Sequence, residues 1–351
     1  FATGQPVGTG PYRVTEVVTD VSLRLEAHDA YFGGAPNIGT VIVQELADAS
    51  VAVSEIIAGN IDVLTQIPTD DFSFLQDEPT LSTLQLPGVN MTTIVVNTTQ
   101  PEVADVRSRE SLYHAINRQS IIEAVGGGFG TLVNSIVHPA SAVYNDELEP
   151  YAYDPELAAE LLAEVGWRDE DGDGTLESYG IEGLEDGTPF VMGFGTWGAD
   201  AYALPAQIIQ QNWEAVGIST DINVVDFNIY FSEYLGVQNE DFYVGMSGWF
   251  NFLLPPPDEL SSAFSSTGAN QYFHGWSNER FDEIMATAPT VFDAEERREL
   301  YAEAQAIVYE NLPWLFLTRL DNLIAFNANL SVPEVSSLTD FYNALPEWSL
   351  N

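Results

Sequence analysis

Three carboxylates at alternate positions, Asp169, Asp171 and Asp173, precede a glycine, a pattern typical of the first half of an EF-hand calcium loop. Counted from Asp169, Glu177 stands at the ninth position, and Gly180 replaces the bidentate Glu expected at the twelfth. Calcium requires about six to eight oxygen ligands. The sequence therefore leaves two interpretations open: a structural calcium bound by Asp169, Asp171, Asp173 and Glu177, or a solvated acidic turn.

Large aromatic side chains form a second candidate site, because several of them fall in or beside predicted loops, where an apolar side chain requires a packing or binding role. For any one of them, core packing is the ordinary role. As a set, they predict the lining of a ligand-binding cleft. The predicted lining residues are the aromatic Trp197, Trp249, Phe252 and Tyr272, together with the neighbouring polar residues Asn251 and Asn270.

The charge balance is extreme: 53 acidic residues face ten basic ones, every basic residue is Arg, and the formal net charge is -43. Self-repulsion on this scale disfavours a compact chain unless salt screens it, and the screening length falls from about 10 Å at 0.1 M salt to about 3 Å at 1 M. The composition resembles that of proteins from extreme halophiles; an ordinary acidic secreted protein is the alternative. Nucleic acid is excluded as a partner, because its phosphates require basic groups.

Several kinds of chemistry are missing from the sequence. Without cysteine, it has no disulfides, thiol catalysis or thiolate metal sites. The four histidines lie far apart, and no motif of a serine hydrolase, zinc protease or P-loop is present. These absences leave no recognised catalytic motif, and we expect no cofactor apart from the calcium interpretation of the acidic loop. The alternative function is a carboxylate-dependent glycoside hydrolase, which needs two carboxyl groups about 5 to 10 Å apart. A calcium-binding cell-surface module is a further alternative.

Alternation of strand and helix patterns predicts an α/β fold. Residues 21–27 alternate as a strand, Asp48 is the predicted N-cap of a helix over residues 51–58, and residues 61–64 form the next strand. A longer helical pattern covers residues 105–122.

The later part of the chain continues this alternation. Asp154 and Pro155 begin a helix that ends at Gly166. Asp293 begins another helix, which Pro313 ends.

Two short segments, near residues 97–101 and 311–314, predict crossings between lobes. We divide the chain into a first lobe of residues 1–98, a second lobe of residues 99–312, and a return to the first lobe over residues 313–351. Two lobes joined by a pair of crossings form a hinge, and the cleft between hinged lobes favours a ligand.

Motifs along most of the chain resemble those of the family 5 extracellular solute-binding proteins, the oligopeptide and dipeptide receptors of ABC importers. Residues 6–12 read Pro-Val-Gly-Thr-Gly-Pro-Tyr, residues 31–36 read Tyr-Phe-Gly-Gly-Ala-Pro, and residues 59–62 read Gly-Asn-Ile-Asp. The family's second-lobe helix is matched at Arg109, Leu112, Ala115, Ile116, Arg118, Ile121 and Ile122. Further matches are Tyr151 to Pro155, Val216 to Ile218, Gly248 with Trp249, and Asp293 to Gln305.

The resemblance implies a two-lobed periplasmic-binding-protein-like fold of type II and a non-enzymatic receptor. It would capture a peptide-like or other small solute between its lobes and pass it to the permease subunits of an ABC transporter. The implied location is extracytoplasmic, on the outer face of the cytoplasmic membrane, with a lipid anchor in an N-terminal part. The family places its first strand before the residue 6–12 motif, so we expect this sequence to lack that part and its first lobe to be incomplete.

One position departs from the family pattern. In peptide-binding members, an Asp three residues after the Trp of the Gly-Trp pair binds the ligand's amino group, and here that position is Phe252. Burying the ammonium group of a peptide N-terminus without a carboxylate partner is unfavourable, because the charge loses its hydration without compensation. The departure argues against recognition of a free peptide N-terminus, whereas Asn251 can hydrogen-bond a neutral group. Sugars, capped peptides and other solutes are therefore open as ligands.

Overall fold

A computed structural model describes residues 7–65, 67–198, 200–250 and 257–351. The chain divides into two compact units. The first unit ends at Gly88 and resumes at Asp321, and the second unit comprises Val89–Leu320.

The strands, numbered in chain order, alternate with helices through much of the chain. They are β1 (Tyr12–Val18), β2 (Ser22–Ala27), β3 (Thr40–Gln44), β4 (Val63–Thr65), β5 (Leu81–Pro87), β6 (Asn90–Val96), β7 (Gly130–Leu132), β8 (Trp167–Arg168), β9 (Glu177–Ser178), β10 (Val191–Trp197), β11 (Ser219–Val225), β12 (Val244–Phe250), β13 (Trp314–Asn327), β14 (Leu330–Ser331) and β15 (Ser349–Leu350).

Helices connect most of these strands. They are α1 (Ala49–Ile57), α2 (Thr69–Gln76), α3 (Pro101–Ala104), α4 (Val106–Ala115), α5 (Arg118–Gly126), α6 (Pro155–Val165), α7 (Asp200–Glu214), α8 (Phe227–Ile229), α9 (Pro257–Phe264), α10 (Gln271–His274), α11 (Glu279–Thr287), α12 (Ala294–Asn311) and α13 (Leu338–Asn343). A π-helical turn, Tyr230–Tyr234, continues α8, and two short 3-10 turns follow α11 and α13.

The first unit contains two main groups of strands. β1, β2 and β3 form an antiparallel sheet in that order. β4 and β5 pair with the part of β13 that begins at Asp321. One hydrophobic cluster of the first unit contains the buried residues Leu86, Ile324, Phe326, Leu330, Phe341 and Trp348.

The second unit is built on a sheet in the order β11, β10, β12, β6 and β13, with β7 also pairing β13. β11, β10 and β12 run parallel, and β6 is antiparallel to β12. Residues within these strands are apolar because helices pack over the sheet and bury them. Phe194, Val244 and Met246 are fully buried. Trp213 of α7 packs on Phe194 with 5.1 Å between ring centroids.

Helix ends confirm several of the predicted signals. Asp48 caps α1 by accepting hydrogen bonds from the backbone N–H groups of Ser50 and Val51. Asp154 caps α6, and Gly166 ends it with a φ of 121°, which a side chain would not tolerate. Asp293 caps α12.

Two local predictions differ from the structure. The predicted helix over residues 105–122 is two helices, α4 and α5, because Ile116 is extended and the Asn117 side chain accepts from the Ser120 N–H to begin a new helix. Helix α2 was not predicted; its apolar face is only Phe72 and Leu75. The compact units divide at Gly88 and Leu320, because β6 and the first half of β13 pair within the second unit. The division into lobes at residues 98 and 312 stays a prediction.

Candidate functional site

The carboxyl ends of three parallel strands meet at one edge of the second unit's sheet. β10 ends at Trp197, which is in register with Val225, the last residue of β11. Helices α7 and α8 begin shortly after these strands, and β12 ends on the other side of β10. In sheets of this kind, ligands bind outside the carboxyl ends of the strands.

An open pocket of about 430 Å³ lies at this edge, a volume that suits a small ligand. We refer to it as the aromatic pocket. Its lining residues are Trp197, Tyr202, Phe227, Asn228, Phe231, Ser232 and Gly248.

The rings of the aromatic pocket contact one another around Trp197. The ring centroids of Trp197 and Tyr202 are 3.9 Å apart, at an interplanar angle of 36°. Phe231 lies 5.3 Å from Trp197, and Phe227 lies 5.8 Å from it in an edge-on arrangement. Phe227 and Phe231 are themselves 5.0 Å apart. Trp197 is 7% exposed and Phe227 is 55% exposed, so the pocket has a packed base and an open wall.

Two glycines of β12 make room for tyrosine rings at the base of the pocket. A Cβ atom at Gly248 would overlap the Tyr202 hydroxyl, and one at Gly245 would overlap the Tyr230 hydroxyl. The fully buried Tyr230 donates a 2.6 Å hydrogen bond to the Met246 carbonyl and lies 5.1 Å from Trp197. Strand β12 thus supports the base of the pocket at two positions where any side chain larger than hydrogen would displace a tyrosine ring.

The pocket is electrically neutral over the residues that the structure describes. None of its lining residues is Asp, Glu, Arg or His. Burial raises the pKa of the Tyr202 hydroxyl, so it remains protonated at neutral pH. The Ser232 hydroxyl donates a 2.7 Å hydrogen bond to the Asn228 carbonyl, and the Asn228 N–H donates to the Asp226 carboxylate. Contacts available to a ligand are therefore aromatic surface and neutral polar groups.

The predicted lining residues fall in different places. Trp197 lies in the aromatic pocket. The backbone of Trp249 pairs with Met91 in β12, next to Gly248, but its side chain is outside the described set. Asn251 and Phe252 lie outside the described residues.

The other two predicted residues do not line the aromatic pocket. Asn270 precedes α10 and donates its N–H to the Ser262 carbonyl. Tyr272 is 44% exposed and packs on Phe273 at 4.2 Å between ring centroids. A ligand contact for Asn270 and Tyr272 stays a prediction.

Sequence reasoning missed Tyr202, Phe227 and Phe231. A signal was present: α7 and α8 each follow a strand of the parallel set, and each carries an aromatic residue near its start, Tyr202 and Phe227, at the sheet edge where ligands bind.

The acidic loop brings the four predicted calcium ligands together. One carboxylate oxygen from each of Asp169, Asp171, Asp173 and Glu177 lies within 4.8 Å of the others. The pairing of β8 with β9 explains this, because it sets Glu177 opposite Arg168, next to the start of the loop.

Hydrogen bonds fold the loop around these groups. Asp169 accepts from the N–H groups of Gly172 (2.7 Å) and Gly174 (3.1 Å), and Asp171 accepts from Asp173 N–H (3.0 Å). This converging set of hard oxygens is suited to calcium.

Buried ionisable groups elsewhere serve the fold. His274 is fully buried; its Nε2 donates to the Ala263 carbonyl, and its Nδ1 accepts from the Trp276 N–H, a pattern that fits the neutral ring. Burial lowers the pKa of His274 to about 4. Arg109 donates to the carbonyls of Val103, Ala104 and Asn311.

The family model described as "Bacterial extracellular solute-binding proteins, family 5 Middle" matches residues 2–271. The chain belongs to this family, and its fold is the α/β fold of the family 5 solute-binding proteins. Both the family resemblance and the fold class drawn from the sequence are confirmed.

Three curated relatives show the extent of the similarity. Heme-binding protein A of Haemophilus influenzae is 27% identical over 315 residues, which are 89% of this chain and 54% of that protein. The dipeptide-binding protein of Escherichia coli is 26% identical over 326 residues, 89% of this chain and 56% of that protein. The oligopeptide-binding protein AppA of Bacillus subtilis is 26% identical over 352 residues, 99% of this chain and 63% of that protein. This chain therefore spans a little over half of each relative's length.

Two solved structures share the fold. AppA from Bacillus subtilis in complex with a nonapeptide has a TM-score of 0.70 at 25% identity, covering 97% of this chain and 66% of that one. HbpA2 from Haemophilus parasuis has a TM-score of 0.81 at 26% identity, covering 99% and 65% respectively.

Proposed function

We propose that this chain is part of the substrate-binding component of an ABC importer, a non-enzymatic receptor that captures a small solute and delivers it to membrane permease subunits. Family membership supports the class. The aromatic pocket at the carboxyl edge of β10, β11 and β12 is the single observation that carries the proposal, because it offers ligand-binding surface without catalytic groups.

The solute is a peptide-like or other small molecule. Relatives are named for binding heme, dipeptides and oligopeptides, and one was solved with a nonapeptide. Such different ligands within one fold are consistent with a pocket whose lining residues determine which solute binds. The neutral lining of the aromatic pocket favours solutes that do not depend on a charged anchor at this position.

The receptor acts outside the cytoplasm, as the family description implies. We place it on the outer face of the cytoplasmic membrane, held by a lipid anchor on an N-terminal part of the protein. Across the described residues, no helix combines the length and the apolar character that crossing a membrane requires. Detergent phase partitioning of the native protein, before and after lipase treatment, tests the anchor.

The glycoside hydrolase alternative gains no support from the aromatic pocket. It requires two carboxyl groups about 5 to 10 Å apart, and the lining that the structure describes contains none.

Solute capture is tested on the chain purified in 2 M KCl. Native mass spectrometry identifies any solute that co-purifies, and thermal unfolding is then measured with dipeptides, oligopeptides, oligosaccharides and heme. A true ligand at a hundred times its Kd stabilises the chain by about 2.7 kcal/mol. If no solute co-purifies and none of these compounds raises the Tm, the proposed function is wrong.

We also propose that the acidic loop holds a structural calcium ion. The convergence of Asp169, Asp171, Asp173 and Glu177 supports it. Calorimetric titration with Ca²⁺ in 2 M KCl should give one site, absent in Asp171→Asn and unchanged in the control Asp29→Asn, which removes an exposed carboxylate from the first unit. Flat titration of the unsubstituted chain, or equal loss in both variants, would refute the site.

A further inference from the structure

We propose that the aromatic pocket binds an uncharged planar ring, such as a phenyl or indole group, that carries a neutral hydrogen-bonding substituent. This inference rests on the proposed function, since it names the class of solute that the same site takes.

The open wall of the pocket is built to contact a ring. Phe227 is 55% exposed although it is a large apolar residue, and its ring stands nearly perpendicular to Trp197, at 77°. Phe231 meets Phe227 at 60°. Aromatic rings prefer such tilted contacts, at centroid distances of about 4.5 to 7 Å. A flat ring from a ligand can extend this series with the same geometry.

The packing of Trp197 argues against an ammonium ligand. A cation binds over the open face of an aromatic ring, and Trp is the best such ring. Here Tyr202 lies against Trp197 at 3.9 Å, and Trp197 is only 7% exposed. The face of the Trp197 ring is already covered, so the pocket presents packed rings rather than the open aromatic faces that would surround a cation. The described lining also has no carboxylate to neutralise a cation.

The polar groups of the pocket are neutral, and contacts with the described residues use only part of their hydrogen-bonding capacity. The exposed Asn228 side chain makes no hydrogen bond to any residue that the structure describes, and both of its ends are therefore available. The Ser232 hydroxyl uses its proton on the Asn228 carbonyl and can still accept. A ring substituent such as an N–H or hydroxyl group finds a partner in these two side chains.

Charge disfavours an anionic solute. A carboxylate in this pocket would lose hydration and meet no Arg or His in the described lining.

The test is a calorimetric titration of the whole chain in 2 M KCl with three probes: indole, indole-3-acetate and tetramethylammonium. Indole should bind with a Kd at least tenfold lower than either ion. Phe227→Ala should weaken indole binding about tenfold, through loss of one aromatic contact and its apolar area. The matched control is Phe74→Ala, which removes a similarly exposed ring (58%) from α2 of the first unit and should change binding less than twofold. Circular dichroism checks that both variants are folded.

Tighter binding of tetramethylammonium than of indole would overturn the inference, as would indole affinity that Phe227→Ala leaves unchanged. These outcomes are separable from failure of the proposed function. If another solute is captured while indole does not bind, the ring assignment is wrong and the receptor function stands.

Discussion

Substitution of Gly248 by Ala is a direct test of how the aromatic pocket is supported. Gly248 lies in β12 beneath Tyr202, and an added Cβ would overlap the Tyr202 hydroxyl and lie 3.0 Å from its Cζ atom. Tyr202 cannot keep its place on Trp197 and also accommodate this methyl group. We therefore expect the ring to be displaced from its 3.9 Å contact with Trp197.

The expected cost has two parts. Overpacking by an added methyl group costs about 1 to 3 kcal/mol, and loss of an aromatic pair costs about 0.5 to 1.5 kcal/mol. Together they predict that Gly248→Ala lowers the free energy of unfolding by about 1.5 to 4.5 kcal/mol. It should also weaken solute binding, because the displaced ring fills part of the pocket.

Urea denaturation in 2 M KCl, followed by tryptophan fluorescence, measures this cost. Gly198→Ala is the control, because a Cβ at Gly198 meets no atom within 4 Å. We expect Gly198→Ala to change stability by less than about 1 kcal/mol. The double variant Gly248→Ala with Tyr202→Leu should recover part of the loss, since the clashing ring is gone. Equal stability of Gly248→Ala and the unsubstituted chain would refute this account of the pocket.

Three further outcomes are expected. The folded-state pKa of His274 is about 4, below its unfolded value of 6.5, so between these values the folded chain binds fewer protons than the unfolded chain. The contribution of His274 to the free energy of unfolding is therefore full above pH 6.5 and falls by up to about 3 kcal/mol as the pH drops to 4. In urea denaturation measured at each pH, His274→Gln should reduce this pH dependence of the free energy of unfolding. An unchanged pH dependence would contradict the pKa assigned to His274. Tyr230→Phe should cost about 1 to 2 kcal/mol in the same assay, because it strips the buried Met246 carbonyl of its donor; a neutral effect would contradict this. The Tm should rise between 0.1 M and 2 M KCl because of the charge of -43, and a flat or falling Tm would refute salt adaptation.

The sequence predicted local structure well where one side chain acts on its own backbone. Asp48, Asp154 and Asp293 each cap the helix that they were expected to begin. The acidic loop is similar: its four carboxylates lie within nine residues, and a short strand pair is enough to bring them together. In contrast, Asn117 acts as a cap inside a continuous helical pattern, and the predicted helix is broken there.

The pocket shows the opposite case. Trp197 was predicted from its type and position, but Tyr202, Phe227 and Phe231 were not, and Asn270 and Tyr272 lie elsewhere in the described structure. Nothing local distinguishes a lining aromatic residue from a core one. Trp213, which is fully buried, and Phe227, which is half exposed, have the same apolar character in the sequence.

The sequence by itself determined the family, the α/β class, the N-caps of α1, α6 and α12, and the charge, because these depend on residue types and on short-range spacing. It also placed the four carboxylates of the acidic loop side by side. Only the tertiary structure decided which aromatic rings share a pocket. Parallel pairing of β10 with β11 and β12 brings residues about fifty positions apart to one sheet edge, and the glycines beneath them admit the rings. That juxtaposition depends on strand order and register, which are long-range properties of the folded chain.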